Sequence, residues 1–270
     1  MGISVAAHNA RGCVMIGAML GLNRVVKWAT TKQYPTIFHI THHKAGSQWI
    51  NRLLHALVPD RVVDPEVFNK HFLSRPIAPG KVYPTLYLTR EQFESVKLPQ
   101  NSRRFVMIRD LRDTLVSLYF SRRNSHQIMH QGMRDQRRVL SEVSPEEGML
   151  YLLEGELGRV AQVQWSWVAA GDELIKYEEL LENDEEILAD VLLRRCRLGV
   201  DPWRFHEAVL ANRFEKFAGR KRGDEDANSH ERKGVAGDWR NHFTGAVIDD
   251  FKKRYGSLLI ATGYEKNFGW

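Results

Sequence analysis

Apolar residues recur along this chain in two rhythms. Thr36-Ile37-Phe38-His39-Ile40-Thr41 is a short apolar run rich in β-formers and predicts a strand. Trp49, Ile50, Leu53, Leu54 and Leu57 follow at the spacing of one helical face, and Pro59 stops that helix. Val82 to Leu88 predicts a second strand. Pro84 confines it to a sheet edge or a bulge, because proline brings no N–H to a ladder. Arg104 to Ile108 predicts a third strand, with a helix from Thr114 to Phe120 behind it. Glu173 to Tyr177 predicts a fourth, followed by an acidic helix from Glu178. Between them, residues 135–170 read as helical, since Leu150, Leu153, Leu157, Val160 and Val163 recur every three or four positions. Short helical stretches follow Gly199. Strands and helices alternating at these distances predict an α/β fold, a parallel sheet covered by helices. The segment Gly219 to Gly237 is charged, glycine-containing and poor in apolar residues, and it predicts a mobile loop.

The longest apolar run, Cys13 to Leu22, is about half the ~20 residues that a membrane-spanning helix needs. Residues 12–29 instead predict an amphipathic helix that packs on the domain, with peripheral membrane contact as the alternative. Gly2 invites a lipidation reading, but Ala6 stands where the motif wants Ser or Thr. The chain therefore divides into an N-terminal helical segment, 1–34, and one domain, 35–270.

With 270 residues, 43% hydrophobic and 27% charged, the chain has enough apolar surface for a large core and is neither disordered nor fibrous. Its two cysteines, Cys13 and Cys196, exclude a disulfide framework and a Cys-rich zinc site, and they fit a cytoplasmic protein. Lys and Arg number 39 against 33 Asp and Glu, a net charge of +6 that attracts phosphate, sulfate, nucleic acid or an anionic membrane. The cations are dispersed and not interleaved with aromatics, so nucleic acid is not the expected partner.

Candidate chemistry lies in three segments. In His42-His43-Lys44-Ala45-Gly46-Ser47-Gln48-Trp49 a strand turns into a helix. Unpaired N–H groups at a helix start, the helix dipole, Lys44, and a glycine that allows close backbone approach together form an anion site. The plain alternative is an ordinary capped turn. The pattern GxxxxGK[ST] of nucleoside triphosphatases is absent, since the lysine precedes a single glycine. In the second segment, Arg109 ends a buried strand where α/β folds bind ligands, and Ser117 lies on the next helix within reach of a shared anion. Its alternative is that Arg109, Asp110, Arg112 and Asp113 pair as surface ions of little worth. The third segment, Glu231-Arg232-Lys233-Gly234-Val235-Ala236-Gly237-Asp238-Trp239, sets two cations before two glycines in a loop suited to closing over an anion.

Together these segments resemble the PAPS-dependent sulfotransferases, whose donor is 3′-phosphoadenosine 5′-phosphosulfate. The first is similar to their PKSGTTW loop. The second is similar to RxPxDxxVSxY, with Leu111 in place of proline, and the third to RKGxxGDWxxxFT. Tyr177-Glu178-Glu179-Leu180 echoes a fourth segment, YEDL, and the likeness spans roughly residues 35–265. It implies a P-loop-like three-layer fold with a central parallel sheet. It also implies transfer of a sulfonate from PAPS to a hydroxyl or amine of a small-molecule, lipid or carbohydrate acceptor, with no metal. Lys44 would stabilise the leaving phosphate, and Ala45, Gly46, Ser47 and Gln48 would cradle the 5′-phosphosulfate. Trp49 would stack on adenine, although its helical spacing equally suits the core. Arg109, Ser117, Arg232, Lys233 and Gly234 would hold the 3′-phosphate, with Tyr177 and Phe214 beside the adenine.

One departure concerns the base. Cytosolic members carry a KTH segment whose histidine deprotonates the acceptor, whereas Lys81 to Tyr87 holds no histidine. The candidates are His126, ranked first, then Glu91, with His71 and His130 behind. Phe120, Met129, Met133, Trp165 and Trp167 are candidates for an apolar acceptor wall, with the core as their alternative. Two rival readings remain: a donor-binding module without catalysis, and a P-loop small-molecule kinase, which would need a nucleoside triphosphate and Mg²⁺.

Overall fold

The computed structural model describes residues 34–270, so the helix expected over residues 12–29 lies outside the described residues. Four parallel strands form the sheet: β1 (Thr36–Ile40), β2 (Val82–Leu86), β3 (Ser102–Ile108) and β4 (Leu174–Lys176), in the order β2-β1-β3-β4. Among the described residues, eleven α-helices accompany them: α1 (Ser47–Leu57), α2 (Lys70–Leu73), α3 (Arg90–Glu94), α4 (Leu111–Phe120), α5 (Gln131–Glu142), α6 (Pro145–Glu154), α7 (Glu156–Ala169), α8 (Tyr177–Leu188), α9 (Pro202–Ala211), α10 (Phe214–Ala218) and α11 (Gly245–Ala261).

The two-residue alternation of the strands sorts side chains onto two faces. Ile37, Phe105, Met107 and Ile175 meet Ile50, Leu53, Leu54 and Leu57 of α1, with α8 and α9 beside them. Phe38, Ile40, Val106 and Ile108 point the other way, onto Phe93 of α3 and Trp167 of α7. A third cluster joins α4, α6, α7 and α11 around Leu115, Leu152, Leu157 and Phe251. Each fully buried Leu or Ile contributes roughly 1.5–3 kcal/mol, which sets the layers firmly.

Pro84 sits in the edge strand, and the register of β2 against β1 shifts between Phe38 and Ile40. Thr85, next to the proline, has a φ of 59°. Edge and irregularity thus occur together, as proline's missing N–H requires. The helix expected from Thr114 begins earlier, at Leu111, because the Asp110 carboxylate accepts the Arg112 N–H and caps it. The helical region 135–170 is three helices, with a capping box of Ser144 and Glu147 opening α6 and Gly155 separating α6 from α7.

Candidate active site

All four strands end at one cleft of about 1420 Å³. His42, His43 and Lys44 follow β1, Tyr87 follows β2, Arg109 follows β3 and Tyr177 follows β4, and every one of them lines it. This carboxyl edge is where parallel sheets leave room for ligands.

The loop after β1 turns sharply, with φ of 68° at Lys44 and 80° at Gly46. Gly46 precedes α1, and no side chain caps that helix. Trp49 N–H donates to the Gly46 carbonyl at 3.0 Å, which leaves the Ser47 and Gln48 N–H groups without intrahelical partners at the cleft. A Cβ on Gly46 would stand 2.8 Å from the Tyr177 ring, so only glycine fits. Lys44 forms no ion pair with a described carboxylate. Burial, with the Arg109 and Arg122 guanidinium groups nearby, pulls its pKa down to about 8. Ser47 Oγ and Tyr87 Oη lie 2.9 Å apart, joined by a hydrogen bond. Ala45 is wholly buried beneath the loop, whereas Gln48 is exposed on the cleft wall. Trp49 belongs to both settings: it is 7% exposed and packs with α1's core residues, and it also lines the cleft.

Arg109 is the brace of the site. Its guanidinium donates to the Lys44 carbonyl at 3.1 Å and the Val235 carbonyl at 3.3 Å, and it lies 4.8 Å from the Tyr177 ring centre. Its buried Nε–H has no partner. The Arg109 backbone N–H donates to His42 Nε2 at 3.2 Å, and His42 Nδ1 meets the His43 carbonyl at 2.9 Å. Burial drives the His42 pKa down to about 3, so this imidazole is a neutral strut. Asp110 and Arg112 form a buried pair that reaches Glu265, and Asp113 accepts N–H groups of Gly237 (2.6 Å) and Trp239 (2.9 Å). These four residues are therefore internal supports of the site, not surface ions.

Asp113 thereby ties the third segment to α4, and Ser117, one turn further along α4, faces the cleft. Residues 219–237 form no regular element, as their composition predicts. They are nonetheless cross-linked, with Gly223 N–H bonded to the Lys233 carbonyl and Asp226 N–H to the Arg232 carbonyl. Arg232 pairs with Glu225 and Asp238, and Lys233 pairs with Asp238 at 2.7 Å. Burial alone would raise the Asp238 pKa, but hydrogen bonds from Lys233 and Arg232 hold it well below the usual range. Gly234, φ 66°, presses on Phe214: a Cβ there would stand 2.7 Å from the ring.

The base candidates separate. His126 lines the cleft, and burial together with Arg122, Lys44, His230 and His43 lowers its pKa to about 4. His130 also lines it. Glu91 does not: it is exposed on α3 and lines a different cavity, beside Trp165. His71 is buried outside the cleft, where its Nδ1 accepts the Glu66 N–H. On the proposed acceptor wall, Met129 and Met133 line the cleft, with Val67, Phe68, Leu73 and Tyr151. Phe120 lies under the Arg232 guanidinium instead, and Trp167 is in the core. Trp165 is two residues from Trp167, hence on another helical face, and points outward. Sequence reasoning read Asp113 only as a surface ion and Tyr87 only as the end of the stretch that lacks a histidine, and it did not single out Glu156. Glu156 is a buried cleft carboxylate held by Arg122. Among the described residues, no group of three or more His, Cys, Asp or Glu is placed to hold a metal ion, and no helix is long and apolar enough to cross a membrane.

No protein-family model matches this sequence. No curated protein matches it either. Solved structures do. The crystal structure of mouse sulfotransferase SULT7A1 complexed with PAP superposes with a TM-score of 0.58 at 19% identity, covering 83% of this chain and 84% of that one. Retinol dehydratase in complex with androsterone and the inactive cofactor PAP superposes with a TM-score of 0.51 at 16% identity, covering 83% and 80%. The chain shares the α/β fold of these PAP-complexed proteins.

Proposed function

We propose that this chain is a PAPS-dependent sulfotransferase acting on a hydroxyl or amine of a small-molecule acceptor. The observation that carries the reading is the convergence on one cleft of an uncapped helix start, Lys44, Arg109 and the Arg232-Lys233-Gly234 loop. The residues suit such a donor. Arg109 has an unused buried N–H, Lys44 is in no ion pair with a described carboxylate, and the backbone at Gly46 is open to close approach.

When bound, PAPS supplies an activated sulfonate whose transfer releases adenosine 3′,5′-bisphosphate (PAP). The first-turn N–H groups of α1 and the Lys44 ammonium would hold the 5′-phosphosulfate and offset negative charge on the leaving phosphate. Arg109, Ser117 and the 232–234 loop would hold the 3′-phosphate, Arg through its rigid fork of donors. Tyr177 and Phe214 would border the adenine, with Trp49 behind them. Fixing the donor in this way makes positioning and charge stabilisation the main sources of rate. The cleft mouth bears Val67, Phe68, Leu73 and Met129, all substantially exposed, which suits an acceptor with an apolar body and favours a lipid-like molecule over a carbohydrate. Two cysteines and a fold without a spanning helix among the described residues are compatible with work in the cytoplasm.

Calorimetry with PAP, and separately with ATP and Mg²⁺, tests the reading. Tight PAP binding that persists in chelator is expected, weakened about 10-fold or more in Arg109→Ala and less in Ser117→Ala. A preference for ATP with Mg²⁺ would favour a kinase. PAP binding without sulfonate transfer to any acceptor would leave a binding module.

A further inference from the structure

Resting on the sulfotransferase reading, we propose that His43, the residue before Lys44, is the general base that deprotonates the acceptor, with Tyr87 positioning it. Tyr87 ends the stretch where cytosolic sulfotransferases carry their catalytic histidine. The imidazole missing from that stretch is supplied from the neighbouring loop, after β1. The His43 and Tyr87 rings lie 4.1 Å apart between centres, tilted by 38°, and Tyr87 is itself tied to Ser47 at the start of α1. No described residue forms a hydrogen bond to either ring nitrogen of His43, and the residue lines the cleft half-buried. The imidazole is thus held by its face with its nitrogens free, as a base needs. Its chain neighbour His42 differs: both of its nitrogens are engaged, by Arg109 N–H, Gln164 and the His43 carbonyl.

His43 and His126 are both cleft imidazoles on which Lys44 acts, and charge chooses between them. A base must carry a positive charge after it takes the proton. The groups acting on His126 are Arg122, Lys44, His230 and His43, which all oppose that charge. His43 faces Arg122, Lys44 and Arg159, but also the Glu156 carboxylate, which favours it, and the neutral Tyr87 phenol. Burial keeps His43 neutral down to about pH 4, so the proton-accepting form is the resting one. In the step itself the acceptor oxygen bonds to sulfur as the bond from sulfur to the phosphate oxygen breaks. The electron pair of that bond leaves with the bisphosphate. The acceptor proton moves to His43 and from there to solvent.

The test uses the full chain with PAPS, offering water, 2-naphthol, cholesterol and tyramine as acceptors and reading PAP release. It also follows the His43 ring signals by NMR titration without any donor. His43→Asn is expected to bind PAP as tightly as wild type yet lose about 100-fold or more in release rate. His126→Asn is expected to lose at least ten times less. The His43 ring is expected to titrate near pH 4, and lower still in Glu156→Gln. In Tyr87→Phe, which keeps the ring but not the bond to Ser47, the rate falls with PAP affinity nearly unchanged. Release that survives in His43→Asn, a larger loss in His126→Asn, or a His43 pKa indifferent to Glu156→Gln overturns the assignment. So does a wild-type protein that binds PAP but releases none from PAPS with any of these acceptors. Failure of wild type to bind PAP at all strikes the sulfotransferase reading instead, and is told apart by the calorimetry alone.

Discussion

Lys44 stands among more cations than anions, and its depressed pKa follows from that company. A phosphate arriving beside it reverses the balance and raises the pKa. Ligand-free Lys44 is half-ionised near pH 8. Binding PAP there is expected to take up about half a proton, and affinity to fall as pH rises through 8. Calorimetry in two buffers of different ionisation heat reads the uptake, and Lys44→Gln abolishes it. Zero uptake in wild type would mean that this ammonium does not face the phosphate. At this scale the sequence named cations that the structure gathers at one cleft, and could not name their counter-charges. That Asp113 accepts Gly237 N–H, or that Arg122 holds Glu156, follows from residues far apart in the chain meeting in space, and no periodicity announces it.

Glycines define the elements that enclose the cleft, and two of them allow a controlled comparison. Gly219 and Gly234 have nearly the same backbone, φ 68° and 66°. A Cβ on Gly219 meets nothing within 4 Å, whereas one on Gly234 meets the Phe214 ring at 2.7 Å. Both Ala variants incur about 1–2 kcal/mol of backbone strain. Only Gly234→Ala must also shift the loop that carries Arg232 and Lys233, so its PAP affinity is expected to drop about 10-fold or more while Gly219→Ala binds normally. Equal affinities would mean that the loop's seat on Phe214 does not set the site. Element boundaries were legible where chemistry punctuates them: Pro59 after α1, the proline in β2, the apolar run of β3. They were missed where a local side chain extends the element, as Asp110 does for α4. Tyr177 went to the helix and not to β4, because the short strand ends at Lys176 and the helix starts at once.

Across the whole molecule, buried neutral histidines couple the fold to acid. His39 stacks on Phe105 at 4.8 Å and His42 braces Arg109; burial holds both near a pKa of 3. In the unfolded chain they titrate near 6.5, so the unfolded state binds more protons below that pH. The sign follows: stability is complete above about 6.5 and is lost as pH falls toward 3. At pH 5 each residue accounts for about 2 kcal/mol of loss. Between pH 7.5 and pH 5.0 the pair accounts for a drop of about 4 kcal/mol in the free energy of urea unfolding, to which His43 and His126 add, and His39→Gln is expected to lessen the measured drop by about 2 kcal/mol. An unchanged drop in that variant would place its origin elsewhere. The layer order was readable from strand–helix alternation alone, because each strand's two-sided burial demands helices on both faces.

The sheet also has two unequal margins. At one, β4 is only three residues long; at the other, β2 carries Pro84, and its Val82 carbonyl already accepts the Val63 N–H from outside. Among the described residues, neither margin is a long, regular edge. Strand-by-strand growth, the route to fibrils and to edge-paired dimers, is therefore disfavoured by the brevity of β4 and by the proline and the occupied Val82 carbonyl of β2.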